Sequence, residues 1–440
     1  MIILVIILLL VSLFFYGWGE PVYIGIMGLS ILIDYTHGLL VERYRSRDKL
    51  ARWFVEESVI LNLGLLGFFK YWDFFAENLS RLPGITLPAL GLPLPIGISF
   101  FTFQTMSYTI DVYRRDAPAQ RDIVAFGAYV TMFPQLVAGP IVRYREVAAE
   151  LKERVNTTAD FAAGAGRFTV GLAKKVLLAN SIGALWDAEL AAQSAGMLTA
   201  FGGWLGIAAY GFQIYFDFSG YSDMAIGMGR MLGFHFPENF ARPYTAASVT
   251  EFWRRWHISL TTWFREYLYI PLGGSRRGTA RTVRNIFIVW LCTGFWHGAS
   301  WNFVLWGVML LGFILLEKFC IGDFLKEHKV LSHVYLLFVI PQTWVIFRIT
   351  RLKDVGAYFS RLFPLFGARS AISAQDALKL LSSYWWLLLL AVFFCLPQPR
   401  RFYEKHRGSL LVQLPLFLLF WVCVYFIATS SGNAFLYSRF

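Results

Sequence analysis

The sequence has little charge for a chain of this length. Only 15% of its 440 residues are Asp, Glu, Lys or Arg, whereas 57% are hydrophobic; a soluble domain has about 25% charged residues. Three stretches contain no Asp, Glu, Lys or Arg at all, namely residues 195–216, 285–316 and 408–438. Each is at least as long as the roughly 20 residues that a helix needs to cross a bilayer. This composition excludes an ordinary soluble domain.

Lipid offers the backbone no hydrogen-bond partner, and this limits the fold. An unpaired backbone polar group in hydrocarbon costs several kcal/mol, so spanning segments must be helical. The apolar runs predict an all-α polytopic membrane protein with about eleven transmembrane helices, residues 1–440 forming one domain. Residues 123–142 form another apolar run with cations at both ends, and this run is predicted to be re-entrant if both ends face the cytoplasm. Residues 161–186 contain three cations and are predicted to be partly interfacial.

Cysteine is scarce, and the sequence lacks the common nucleophile and nucleotide motifs. The four cysteines, Cys292, Cys320, Cys395 and Cys423, lie in or beside apolar runs without paired spacing, and we interpret them as small core residues. There is no G-x-S-x-G elbow, Walker loop, HExxH or CxxC, each of which would indicate a particular chemistry. These absences argue against ATP-driven transport by this chain alone and against a permanently bound cofactor.

Acidic side chains are outnumbered, with 28 Asp and Glu against 40 Lys and Arg, and the net charge is +12. The cations concentrate in short loops between apolar runs, which is typical of the cytoplasmic loops of membrane proteins and not of a nucleic-acid-binding surface. We therefore predict that residues 43–52 and 275–285 face the cytoplasm. The side on which the N-terminus lies stays open.

Ionisable side chains are rare in the charge-free run 285–316. Apart from the Cys292 thiol, His297 is the only ionisable group between Arg284 and Glu317. Such a group within an apolar segment is a functional-site hypothesis by default. Burial disfavours imidazolium, so the ring can stay neutral and accept a proton as a general base. A structural hydrogen-bonding role explains a lone buried histidine equally well, and the residues alone leave both interpretations open.

Aromatic and basic side chains alternate in residues 241–274, the segment that contains His257. One interpretation is an amphipathic helix at the level of the lipid headgroups, with aromatic anchors and arginines facing phosphates. The other is a wall of a site that binds an anionic cofactor through charge-assisted hydrogen bonds. The candidate arginines in this segment and the loop after it are Arg254, Arg255, Arg265, Arg276 and Arg277.

Two carboxylates, Asp217 and Asp223, follow the apolar run 195–216 together with Ser219 and Ser222. We interpret these side chains as satisfying backbone groups where a helix breaks, because Asp and Ser commonly do so. A metal site is the weaker alternative, since the pattern of a cation-binding loop is missing. No metal ion is predicted.

Seven motifs follow one another along residues 95–307. Three of them lie in the central segment: Trp-Arg-Arg-Trp-His-Ile-Ser-Leu at 253–260, Tyr-Leu-Tyr-Ile-Pro-Leu-Gly-Gly-Ser-Arg-Arg-Gly at 267–278, and Phe-Trp-His-Gly-Ala-Ser-Trp-Asn-Phe-Val-Leu-Trp-Gly at 295–307. The others lie at residues 95–104, 133–141, 215–225 and 236–240. In this order, the motifs resemble those of the membrane-bound O-acyltransferase (MBOAT) superfamily, and in particular its bacterial alginate O-acetylation branch. The resemblance covers residues 95–307, with further helices in 1–94 and 308–440.

The resemblance implies a ring of tilted helices around a central tunnel across the bilayer. It also implies a cytoplasmic thioester donor, acetyl-CoA or an acyl-carrier-protein thioester, and an acceptor outside. The catalytic histidine of the family falls on His297, which favours the general-base interpretation. The histidine of the Arg-Trp-His motif falls on His257, for which we expect a supporting or donor-positioning role. The five arginines become candidates for binding the donor.

These implications lead to an expected function. The chain is expected to be an O-acyltransferase of the bacterial inner membrane that moves an acyl group, acetyl being the expected one, toward an extracytoplasmic polysaccharide such as alginate. A secreted SGNH-type acetyltransferase or a similar protein is the expected partner. Peptidoglycan O-acetylation and teichoic-acid D-alanylation stay open as alternatives. A non-enzymatic transporter or scaffold with structural histidines is the alternative of another class.

Overall fold

The computed structural model describes residues 2–364 and 375–430, and every regular element in those residues is helical, which confirms the predicted fold class. The α-helices are α1 (Ile2–Gly19), α2 (Ile24–Arg43), α3 (Asp48–Leu79), α4 (Ile98–Arg114), α5 (Ile123–Thr131), α6 (Phe133–Leu136), α7 (Tyr144–Lys152), α8 (Thr158–Ala173), α9 (Asn180–Ser194), α10 (Ala200–Met231), α11 (Val249–Arg255), α12 (Ile258–Phe264), α13 (Thr279–His297), α14 (Trp301–Leu316), α15 (Gly322–Glu327), α16 (Lys329–Arg348), α17 (Leu352–Leu362), α18 (Gln375–Cys395), α19 (Pro397–His406) and α20 (Leu410–Thr429). Segments of π-helix lie at Lys174–Ala179, Arg265–Tyr269 and Glu317–Ile321, and a 3₁₀ turn at Pro243–Thr245.

Eight helical stretches in the described residues are long and apolar enough to cross a membrane. They are Ile2–Gly19, Ile24–Arg43, Asp48–Leu79, Thr158–Ser194, Trp301–Glu327, Lys329–Arg348, Asp376–Cys395 and Leu410–Thr429. The protein is therefore a multi-pass membrane protein. The predicted re-entrant segment 123–142 contains α5, a break at Met132 and the four-residue α6. The count of about eleven spans stays a prediction, which rests on lengths of apolar sequence.

The described residues group into two compact units that alternate along the chain. Unit 1 comprises residues 2–165, Ala225–Glu238 and Thr262–Pro271. Unit 2 comprises Gly166–Met224, Asn239–Thr261 and the described part of the chain from Leu272 onward, residues 272–364 and 375–430. Both histidines that the sequence analysis selects lie in unit 2.

Unit 1 packs α2, α3 and α4 around a buried carboxylate. Asp34 Oδ1 accepts hydrogen bonds from the hydroxyls of Ser58 (2.6 Å) and Thr109 (2.8 Å). Its Oδ2 accepts one from the amide of Asn62 (2.7 Å). Burying a carboxylate is costly unless hydrogen bonds satisfy its oxygens. One residue of α2 thus holds side chains of α3 and α4, and this fixes the packing of the three helices.

In unit 2, the cations of Thr158–Ser194 have partners inside the protein. Lys174 and Arg167 contact the Asp223 carboxylate at 2.6 and 2.8 Å, and Lys175 forms an ion pair with Asp217. Buried charges are tolerated when they are paired in this way. The stretch is one of the eight candidate spans. Its cations therefore do not require a membrane surface as partner, and the partly interfacial placement of residues 161–186 stays a prediction.

The same ion pairs overturn the predicted helix break in residues 217–223. Helix α10 runs without interruption from Ala200 to Met231. The carboxylates of this stretch bind cations instead of satisfying free backbone groups. Helices α8 and α10 also approach closely at glycine, since a Cβ on Gly171 would lie 2.5 Å from the Gly220 carbonyl oxygen. Gly220 of this stretch therefore serves helix packing.

Residues 241–274 do not form the single amphipathic helix of the headgroup interpretation. Helix α11 ends at Arg255, and α12 begins only after His257. Trp253, Trp256 and Trp263 are 6%, 2% and 8% exposed. Aromatic anchors at the headgroup level would have their rings at the protein surface. The rings are instead packed inside the protein, so this interpretation is wrong for the tryptophans.

One hydroxyl and one carboxylate side chain fix the start of α11. Ser248 accepts a hydrogen bond from the backbone N–H of Glu251 at 3.0 Å. The buried carboxylate of Glu317, directly after α14, accepts hydrogen bonds from the backbone N–H groups of Val249 and Thr250. These contacts satisfy N–H groups that lack partners within the helix and place a negative charge at its positive end. Helix α11 is thereby anchored to the end of α14.

Candidate active site

His297 is the last residue of α13, and the chain turns there toward α14. Gly298 follows in an extended conformation, and a Cβ at this position would lie 2.2 Å from Cε2 of Phe303. A Cβ on Gly294 would lie 2.5 Å from the Phe303 carbonyl oxygen. The two glycines let α14 pack directly against the end of α13. Because interiors of proteins are densely packed, this contact restricts where His297 can lie.

Three aromatic rings surround the buried imidazole of His297. Its ring centroid lies 5.0 Å from Trp296, 4.9 Å from Trp306 and 5.2 Å from Phe347, each in an edge-to-face arrangement. Nearby, the amide of Asn302 donates a hydrogen bond to the Phe347 carbonyl oxygen at 3.2 Å, which ties α14 to α16. Edge-to-face packing is a favoured geometry of aromatic rings and orients the imidazole plane.

His257 lies between α11 and α12 in a strained backbone conformation. Its φ is +44°, in the left-handed region that residues other than glycine rarely adopt. The ring is fully buried, and Nδ1 lies 3.2 Å from Oδ1 of Asn239 and 3.5 Å from the hydroxyl of Ser259. Burial lowers the pKa of the His257 imidazole to about 3, so the side chain is neutral at physiological pH. Such strain persists where the surrounding structure fixes it, commonly at functional sites.

One indole lies against both histidines. The Trp296 ring centroid is 5.0 Å from that of His297 and 5.7 Å from that of His257. On another side, Phe218 packs edge-to-face on His257 at 4.8 Å. The structure therefore brings together, within unit 2, the two histidines that the sequence analysis selects. Their shared neighbour comes from the same Trp-His-Gly motif as His297.

Tryptophans from three helices form an aromatic wall in the same unit. Trp306 lies 5.4 Å from Trp253 and 6.4 Å from Trp344. Trp344 in turn lies 5.0 Å from Trp256 and donates its indole N–H to the hydroxyl of Tyr244 at 3.2 Å. The sequence analysis did not select Trp344 or Tyr244 for the site. Trp344 follows Tyr244 by 100 positions, and only the fold brings the two side chains together.

Four of the five candidate donor-binding arginines lie in unit 2. Arg254 and Arg255 occupy the last turn of α11. Arg255 forms an ion pair with Glu251, whereas Arg254 is exposed. Arg276 and Arg277 are exposed in the turn before α13. An arginine already paired with a carboxylate has less capacity for a phosphate, so Arg254, Arg276 and Arg277 are the stronger candidates.

Arg265 belongs to unit 1, beside a carboxylate that other arginines hold. It contacts Glu266 at 3.3 Å, and Glu266 also pairs with Arg143 and Arg145. Although burial opposes ionisation, Arg143 and Arg145 lower the pKa of the Glu266 carboxyl. The sequence analysis missed this cluster, because 123 positions separate Arg143 from Glu266. Arg265 is a weaker candidate for donor binding, since its charge has a carboxylate next to it.

Comparison with known proteins identifies the family. The probable alginate O-acetylase AlgI of Azotobacter vinelandii is 39% identical over 406 residues, which cover 90% of this chain and 80% of that protein. The chain belongs to the membrane-bound O-acyltransferase family. The family model matches residues 114–328, which contain both histidines of the site.

The acyltransferase has two other informative relatives. The peptidoglycan O-acetyltransferase of Helicobacter pylori is 31% identical, over 98% of this chain and 91% of that protein. The teichoic acid D-alanyltransferase of Bacillus subtilis is 26% identical, over 61% of this chain and 70% of that protein. All three relatives carry names of acyl-transfer enzymes. The prediction of an O-acyltransferase is therefore confirmed, and nothing favours a non-enzymatic transporter or scaffold.

Proposed function

We propose that this acyltransferase moves an acetyl group from a cytoplasmic thioester toward a hydroxyl of an extracytoplasmic polysaccharide, in the bacterial inner membrane. The observation that supports the site is the pair of buried histidines, His257 and His297, against the single indole of Trp296. The acetyl group and the polysaccharide are supported by the 39% identity to a probable alginate O-acetylase. Alginate is accordingly the first polymer to test.

In the proposed reaction, His297 takes the proton of the acceptor hydroxyl while the oxygen attacks the thioester carbonyl. The new C–O bond forms, the C–S bond breaks, and the departing thiolate receives the proton from the imidazolium. A thioester is already activated, so a base and correct positioning are the main requirements. A positioned base typically contributes about 10²–10⁴-fold to the rate.

His257 has a supporting role in this proposal. Its ring is held by Asn239 and by edge-to-face contact with Trp296 and Phe218. A ring that several neighbours fix is suited to orienting a donor or acceptor, because positioning requires a rigid group. We therefore assign it to positioning the substrates and assign proton transfer to His297.

Donor binding is proposed for the exposed arginines Arg254, Arg276 and Arg277. Coenzyme A carries phosphates, which arginine binds by charge-assisted hydrogen bonds. The turn with Arg276 and Arg277 belongs to the basic stretch that we predict to be cytoplasmic. An acyl-carrier protein, which is acidic in surface charge, would favour the same residues. A secreted SGNH-type acetyltransferase is the proposed partner that completes transfer to the polymer.

Transfer by the purified full-length protein in proteoliposomes tests the proposed function. Radiolabelled acetyl-CoA, acetyl carrier protein and D-alanyl carrier protein are supplied on the side of the basic loops. Oligouronate, peptidoglycan fragments and teichoic acid are supplied on the other side with the candidate secreted partner. Thioester-dependent acetylation of the oligouronate is the expected result. Labelling from the D-alanyl donor alone would favour the teichoic-acid alternative, and labelling of peptidoglycan fragments alone the peptidoglycan one. Absence of transfer from every thioester would contradict the proposal.

A double substitution tests the donor site. Arg276→Ala with Arg277→Ala should raise the donor KM about tenfold with little change in kcat, because charge-assisted contacts to the bound donor are lost. The matched control is Arg401→Ala in α19 with Arg407→Ala directly after that helix, since both side chains are exposed. An equal KM in both double variants would show that the turn before α13 does not bind the donor.

A further inference from the structure

We propose that Asn239 is a positioning residue for acyl transfer, which holds His257 as the tautomer protonated on Nδ1 and thereby makes Nε2 its hydrogen-bond acceptor. The geometry around Oδ1 of Asn239 assigns this role. The consequence for catalysis rests on the proposed function, whereas the tautomer itself can be measured without any turnover.

The orientation of the Asn239 amide follows from a backbone donor. The N–H of Ser259 points to one terminal atom of the amide at 3.2 Å. A backbone N–H only donates, so that atom must be the amide oxygen and not the nitrogen. The Ser259 hydroxyl donates to the same oxygen at 2.9 Å. On the other side, the Asn239 Nδ2 donates to the hydroxyl of Ser222 at 3.0 Å.

The tautomer of His257 follows from the orientation of that amide. Nδ1 of His257 lies 3.2 Å from Oδ1 of Asn239, which has only lone pairs to offer. Nδ1 must therefore carry the hydrogen and donate it. A neutral imidazole has one N–H, so the lone pair of the ring lies on Nε2. The hydrogen bond on one nitrogen thus decides the function of the other.

The scaffold around Asn239 is built to keep this arrangement. Asn239 is fully buried, and its own carbonyl oxygen accepts a hydrogen bond from the N–H of Ile258 at 3.0 Å. Asn239 therefore accepts hydrogen bonds from both residues that follow the left-handed His257, through its main-chain carbonyl and its side-chain amide oxygen. Since a left-handed non-glycine residue is strained, such contacts are needed to hold it. The amide fixes at once the backbone and the protonation pattern of the ring.

An acceptor nitrogen at Nε2 suits a substrate group that carries a hydrogen. In the proposed reaction this is the hydroxyl of the acceptor or the thiol of the released donor. The opposite tautomer would present an N–H to the same group and would orient it differently. The role of Asn239 therefore acts through His257, and Asn239 itself need not touch a substrate.

Nitrogen NMR of the full-length protein in lipid, labelled with ¹⁵N-histidine, tests the proposal directly. Signals of His257 are assigned by their loss in His257→Gln, and the shifts of Nδ1 and Nε2 distinguish a protonated from an unprotonated nitrogen. The expected result at neutral pH is hydrogen on Nδ1 alone. Hydrogen on Nε2 in the unaltered protein would overturn the proposal, and this outcome does not depend on whether acyl transfer is observed.

Two variants separate positioning from simple support of the fold. Asn239→Ala removes the acceptor oxygen, so His257 should show a mixture of tautomers and transfer should fall about tenfold, as for one lost hydrogen bond. Asn239→Asp keeps an oxygen opposite Nδ1 and should retain the Nδ1–H form. The control Ser222→Ala removes only the contact of Nδ2. Unchanged His257 shifts in Asn239→Ala would contradict the proposal.

Discussion

The two histidines of the site lie in different backbone settings. His257 interrupts a helical segment with a left-handed backbone, and its Nδ1 lies against the polar groups of Asn239 and Ser259. His297 ends a helix and is packed edge-to-face among the rings of Trp296 and its neighbours. Directional hydrogen bonds select a tautomer, and edge-to-face packing orients the plane of a ring. The strained and hydrogen-bonded His257 fits a positioning role, and we assign proton transfer to His297.

The hydrogen bonds from the start of α11 to Glu317 hold the helix that precedes His257. Removing them is expected to lower stability more than the other changes proposed below. Glu317→Ala leaves the buried N–H groups of Val249 and Thr250 without their acceptor and should lower the free energy of unfolding by about 2–3 kcal/mol. Thermal unfolding in detergent measures the effect. The control Glu327→Ala removes an exposed carboxylate at the end of α15 and should change little. Equal melting temperatures for both variants would show that α11 does not depend on Glu317.

An added methyl group at Gly298 tests the packing of the turn that follows His297. Gly298→Ala places a Cβ 2.2 Å from the Phe303 ring and should destabilise the protein by about 1–3 kcal/mol through overpacking. Acyl transfer should fall with it, because the turn after His297 must shift. Gly312→Ala in α14 is the control, since a Cβ there meets nothing within 4 Å. If the two alanine variants melt and react alike, the glycine after His297 has no packing role.

The sequence predicts the two histidines and their apolar surroundings, but not the geometry that joins them. No glycine or proline marks the break between α11 and α12 in the sequence, because the residue with the left-handed backbone there is His257. Asn239 lies in a motif that the resemblance includes, yet no spacing relates it to the ring that it contacts. Both features depend on tertiary contacts, which local sequence rules do not contain.

The predicted helix break at residues 217–223 fails for the opposite reason. Asp217, Asp223 and the serines between them are residues that commonly end helices. Their carboxylates are instead matched by Lys175, Lys174 and Arg167, which come from an earlier part of the chain. A local pattern for a break is overridden by ion pairs that only the packing of α8 and the following π-helical segment against α10 reveals.

Lowering the pH should reduce the stability of the folded protein through His257, and this is the smallest of the predicted stability effects. In the folded protein the pKa of the His257 imidazole is about 3, below the roughly 6.5 of a free imidazole. Between these values the unfolded chain binds a proton that the folded protein does not, so stability falls as the pH falls. From pH 7 to pH 5, His257→Gln should lose about 1–2 kcal/mol less stability than the unaltered protein. Identical losses would mean that the ring is not buried in its neutral form.

The comparison of His297→Gln with His257→Gln in the same transfer assay tests the division of roles most directly. Glutamine keeps a hydrogen-bonding side chain but takes up no proton at neutral pH. His297→Gln should retain folding and donor binding while acyl transfer falls about 10²–10⁴-fold. His257→Gln should fall less, and His328→Gln, at an exposed histidine, should leave transfer unchanged. A folded His297→Gln protein with undiminished transfer would contradict the account and leave His257 as the candidate base.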